Sequence, residues 1–167
     1  MNVLKRLLIL VVAMASLVSP ALATDANPVS VVEGFLDALS RADMDALLAH
    51  VADDATFFAP LPSSPQRIDG RDRIAALFES FFRSVRDNAD GPVRMSLVHR
   101  DLEVQLLGDS AVVTFHLGQV PDEPLSKPYS FSRRTFVLHV VDGEWKIVHF
   151  HGSNVTIPAQ AVETINE

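Results

Sequence analysis

Apolar and polar positions along the chain follow two regimes, helical spacing through most of its first half and strict alternation after Val93. Val32, Phe35, Leu36 and Leu39 predict a first helix, opened by Asn27 as a side-chain cap and by Pro28, whose missing N–H costs nothing at a helix start, and running to about Arg41. Asp43 is placed to cap a second, short helix burying Met44, Leu47, Leu48 and Val51, and "ATFFAP" reads as a strand. "PLPSSPQ" holds three prolines and reads as a surface loop. In the next helix, with Asp69 as its expected cap, Ile74, Leu77, Phe78, Phe81, Phe82 and Val85 form a wide apolar stripe that needs a broad surface beneath it. Four strand candidates follow: "VRMSLVHRDLEVQLL", "SAVVTFHLGQV", "YSFSRRTFVLHVV" and "EWKIVHFHGSNV". Helices first and a meander after them predict an α+β fold, with about three helices on one face of a mainly antiparallel sheet.

Two-residue turns at Gly108-Asp109 and Asp142-Gly143 set an expected register. Around the second, one face is expected to carry Val140 with Trp145, Leu138 with Ile147, Phe136 with His149, and Arg134 with His151. The other is expected to carry His139 with Lys146, Val137 with Val148, Thr135 with Phe150, and Arg133 with Gly152. The first face grades from apolar at the turn to Arg134, His149 and His151 at the far end, the composition of a pocket floor. The candidate ligand-binding set is therefore Arg134, His149 and His151, with Phe136 and Trp145 in the floor and Phe115 and Phe58 as further lining. Around the first turn, Leu102 is expected beside Phe115 and Asp101 beside His116, the latter a pair that could orient a general base or equally be a solvated cross-strand pair.

Composition narrows the chemistry. The first 23 residues place Lys5 and Arg6 before the apolar run Leu7 to Val18 and then Ala21-Leu22-Ala23, the pattern of a cleavable export signal, and the run is shorter than the ~20 residues that span a bilayer. The expected layout is a signal at 1–23, one domain at 24–156 and a tail at 157–167, in a periplasmic or secreted protein with no membrane attachment after cleavage. Loss of the signal would leave 12 basic against 21 acidic residues, a net charge of −9 that argues against nucleic acid as a partner. The chain has no cysteine, so stability rests on packing.

His149 and His151 lie two apart, about 6.6 Å along a strand, close enough to share an ion. The expected register supplies no third ligand, only the cation Arg134, so no metal and no cofactor is expected. Nucleophile elbows, glycine-rich phosphate loops and His-Glu-x-x-His are absent, and no catalytic residue is assigned.

"IDGRDRIAALFESFF", "LLGDSAVVTFHL" and "DGEWKIVHFHGS" resemble the helix and strand motifs of the nuclear transport factor 2-like superfamily, over about residues 28 to 156. Within it the last stretch is similar to SnoaL-like domains and to the association domain of calcium/calmodulin-dependent kinase II. The resemblance implies a cone, helices wrapped by a strongly curved sheet around a pocket, commonly a dimer through the outer sheet surface. Where the kinase association domain lines its pocket with arginines, this chain has Leu117, Phe136 and Gly152, so that domain's preference for acidic ligands does not carry over. The carboxylate of SnoaL-type cyclases has no matching position. Superfamily members include isomerases, cyclases, dehydratases and binding modules, so fold alone does not name the activity. The leading expectation is an exported homodimer binding a small apolar or weakly anionic ligand. The alternatives are an isomerase, cyclase or dehydratase using a pocket histidine, and a ligand-free assembly module.

Overall fold

The computed structural model describes residues 27–60, 67–89, 91–119 and 131–154. The proposed signal at 1–23, the tail at 157–167, most of "PLPSSPQ" and the "PDEPLSK" connection lie outside the described residues. Among those described, the order is α1 (Pro28–Ser40), α2 (Met44–Ala49), β1 (Val51–Phe58), β2 (Ile68–Asp69), α3 (Arg71–Asp87), β3 (Leu97–Leu107), β4 (Ser110–Gln119), β5 (Ser132–Val141) and β6 (Glu144–Asn154).

Local chemistry accounts for most of these boundaries. The Asn27 side chain accepts from the Ser30 N–H while the Ser30 hydroxyl receives the Asn27 N–H, a reciprocal cap that starts α1, and Asp43 accepts from the Ala46 N–H to start α2. α2 ends earlier than its apolar spacing predicts, because Val51 opens β1 instead of closing the helix. Asp69 does not cap α3. It sits in β2 paired with Arg67, and Gly70, at φ 87, makes the turn into the helix, a backbone state open to glycine.

The six described strands form one open, curved sheet in the order β2-β1-β6-β5-β4-β3, antiparallel except where β1 runs parallel to β6. The helices cover one face. Ile74, Phe78 and Phe82 of α3 and Val32, Phe35 and Leu36 of α1 meet Val113, Phe115, Phe136, Leu138, Ile147 and Phe150 of the sheet, most of them nearly sealed from water. This burial is the main stabilising term, at about 1.5–3 kcal/mol for each large apolar side chain.

Two bulges reset the expected register. Asp142 and Gly143, both at positive φ, make the predicted tight turn, and Val140–Trp145, His139–Lys146 and Leu138–Ile147 pair as expected. Beyond them Val148 is an extra residue, so Val137 pairs with His149, Phe136 with Phe150, Thr135 with His151, Arg134 with Gly152 and Arg133 with Ser153. The pairs Phe136–His149, Arg134–His151, Val137–Val148, Thr135–Phe150 and Arg133–Gly152 therefore do not form. One inserted residue in a period-two element sends every later side chain to the opposite face. A second bulge lies in β3 at Asp101, at φ 53, which removes the Leu102–Phe115 pairing and sets Arg100 opposite His116. Even so, the Asp101 carboxylate reaches the His116 Nδ1 at 3.1 Å, on the exposed face.

Candidate functional site

Between α1, α3 and the covered face of the sheet lies a cavity of about 340 Å³. Phe35, Leu36 and Leu39 of α1 and Leu77, Phe78 and Phe81 of α3 form one wall. Phe57, Leu117, Phe136 and Phe150 of the sheet form the other, closed by Ala59, Pro60, Met95 and Leu97. Phe57 and Phe150 stack at 4.2 Å between centroids, and Phe136 meets Phe35 and Phe150 edge-on at 5.3 and 4.5 Å. These interlocked rings give the cavity a stiff apolar floor.

Its polar lining is confined to Arg134 and Asn154. Arg134 points inward from β5 with its guanidinium 5.8 Å from the Phe150 ring centre. It fits because its cross-strand neighbour is Gly152: a Cβ there would stand 2.8 Å from Arg134 Nη1 and 2.9 Å from Pro60 Cδ. Nη1 donates to the Arg133 carbonyl at 3.1 Å, while Nε is buried without a hydrogen-bond partner. Burial pulls the Arg134 pKa down to about 10, which leaves it a cation at neutral pH. Asn154 donates to the Pro60 carbonyl at 3.0 Å and ties the end of β6 to the segment after β1. Among the described residues no carboxylate and no histidine lines the cavity.

The structure divides the residues expected at the site. Arg134 and Phe136 line the cavity. Phe115 is buried beneath it, edge-on to Phe136 at 5.2 Å, and Trp145 packs half-buried against the core at the hairpin end. His149 and His151 are corrected to the outer face by the Val148 bulge. There the His149 Nδ1 is hydrogen-bonded to the Thr56 hydroxyl at 2.7 Å, and Phe58, 38% exposed, lies edge-on to both imidazoles. Burial, then His151, then Arg67 lower the His149 pKa. Among the described residues no group of three His, Cys, Asp or Glu side chains is placed to hold an ion.

Phe150, Gly152 and Asn154 were missed for the same reason that the histidines were misplaced. The signal was available: Trp145, Ile147, Val148 and Phe150 pass from odd to even apolar positions through two adjacent aliphatics, which plain alternation does not allow.

Several solved structures share this architecture. An NTF2-like protein of unknown function from Pseudomonas putida aligns with a TM-score of 0.64 at 22% identity, over 79% of this chain and 87% of its own. The association domain of C. elegans CaMKII aligns at 0.59 and 22%, over 75% and 91%. A ketosteroid isomerase-like protein from Erwinia carotovora atroseptica aligns at 0.57 and 21%, over 77% and 93%. At such identities the likeness shows the fold, an NTF2-like cone, and leaves activity open. Among curated proteins none matches the sequence. Residues 29–158, nearly the whole of the helical and sheet region, match the SnoaL-like domain family, and the chain belongs to that family.

Proposed function

We propose that this chain is an exported small-molecule-binding domain whose cavity holds a mostly apolar ligand with one anionic or carbonyl end at Arg134. The observation that carries the reading is a half-buried guanidinium with an unbonded Nε at the edge of an aromatic cavity that contains no carboxylate among its described lining residues. A buried donor without a partner costs free energy, about 1–3 kcal/mol, and a ligand oxygen is the group that would remove the cost. The enzyme alternative needs an acid or base facing the cavity; His149 and His151 lie on the other face of the sheet, and Glu33, Asp37 and His99 are exposed residues of a neighbouring cleft outside the cavity lining. Export is supported by the charge, apolar and small-residue pattern of residues 1–23.

Isothermal titration with decanoate and 1-decanol tests the binding reading. Decanoate should bind the native chain more tightly, and Arg134→Leu should weaken decanoate about tenfold or more while changing 1-decanol little. Equal affinities for the two ligands, or a decanoate affinity indifferent to Arg134→Leu, would remove Arg134 from the site. For export, N-terminal sequencing of protein recovered from its own host should begin near Thr24, and an intact Met1 terminus would exclude cleavage.

A further inference from the structure

Beside the aromatic cavity is a second, polar cleft of about 340 Å³, and the two share Leu36, Met95, Leu97 and Leu117 as a common wall. Glu33, Leu36, Asp37 and Ser40 fall at i, i+3, i+4 and i+7 on α1, which aligns them along one side of the cleft. Arg94, Ser96 and His99 stand on the other side, His99 pairing across the sheet with Leu117. The Met95 N–H donates to the Ser40 carbonyl at 2.8 Å, so the segment before β3 is fastened to the end of α1. Within the shared wall Leu36 and Leu117 are buried, while Met95 and Leu97 are half-buried. A methionine side chain re-forms readily around a bound group.

We propose that cavity and cleft are two halves of one site, and that the cleft takes an uncharged, hydroxyl-rich group, of the kind a sugar presents, attached to the apolar body of the ligand. This rests on the small-molecule reading of the cavity. The cleft lining mixes signs: carboxylates at Glu33 and Asp37, a guanidinium at Arg94, an imidazole at His99 and a hydroxyl at Ser96. A group of either net charge would meet a like charge there. Hydroxyls donate to the carboxylates and accept from the guanidinium, so a neutral polyol satisfies both kinds of partner. Asp37 also pairs with Arg41 on the helix surface.

The probes are octyl β-glucoside and 1-octanol, both titrated calorimetrically below the glucoside's micelle threshold into the full chain. The glucoside should bind about tenfold more tightly than the alcohol. The ratio should fall toward one in Glu33→Ala and in His99→Ala, and should persist in Glu79→Ala, a change on the exposed side of α3. Glu33 is exposed on a helix and alanine is a strong helix former, so the first variant keeps its fold. Equal affinities in the native chain, or a glucoside advantage that survives both cleft variants, overturns the two-part site. If 1-octanol binds and only the sugar gain is missing, the cavity reading stands and this one falls. If neither probe binds, both fall.

Discussion

Arg134 and Gly152 make one unit at the scale of single residues. Gly152→Ala would drive a Cβ into Arg134 Nη1 and the Pro60 ring, so it should destabilise by about 1–3 kcal/mol and lower decanoate affinity by displacing the guanidinium. Pairing it with Arg134→Ala should recover part of the stability, leaving the share owed to Pro60, and a double-mutant denaturation cycle measures the split. Arg134→Leu alone should change stability little or raise it, because it removes a buried Nε that has no partner. His50 and His149 have a different influence. Both pKa values are lowered from the ordinary 6.5, chiefly by burial, with Lys146 adding to the effect at His50 and His151 and Arg67 at His149. A depressed histidine pKa means that the unfolded chain takes up the proton first. Stability is therefore full above 6.5 and falls as pH drops below it toward the folded-state values. Urea denaturation across that window should show the loss, with a shallower slope in His149→Gln.

At the scale of elements, the Val148 bulge decides which half of β6 faces the cavity. Deleting Val148 would return the strand to plain alternation with His149 directly after Ile147 and still opposite Val137, so His149 and His151 should keep the outer face and Phe150 its stack with Phe57. The expected cost is below about 1.5 kcal/mol, because only a half-buried valine is lost, read from the denaturation midpoint. With the bulge in place, His149→Ala and His151→Ala should leave decanoate affinity within about twofold of native, since neither ring lines the cavity. A tenfold loss in either would return the histidines to the binding site. α3 was the element most legible in the sequence, because Ile74, Phe78 and Phe82 follow one face without interruption. β6 was the least, because its apolar residues change face at Ile147-Val148, which only a break in the alternation marks.

For the whole molecule, the sheet has two faces and the helices cover one. On the other, Val112, Val137 and Val141 are half-buried beside Phe58, His149 and His151. We expect a homodimer through this surface, because single chains seldom leave such a face in water. Light scattering at micromolar concentration should give twice the chain mass, and Val137→Glu, which sets a charge in the middle of that face, should give a monomer. A monomeric native chain would exclude the arrangement.

Periodicity, with side-chain caps at α1 and α2, was enough to place the three described helices, the four-strand meander, its tight Asp142-Gly143 turn and the inward placement of Arg134 and Phe136, because each depends on neighbours close in sequence. Residues far apart in the chain determined the rest. β1 lies parallel to β6 through contacts some ninety residues apart, such as Thr56 with His149, and nothing local in "ATFFAP" specifies that partner. The register beyond Ile147 was likewise settled by packing. Phe150 gains a stack on Phe57 and an edge contact with Phe136 only if one extra residue is accommodated in the strand, and that burial outweighs the ladder hydrogen bonding lost at the bulge. The same step carried His149 and His151 out of the cavity and left Arg134, lying across Gly152, as its one charged group among the described residues.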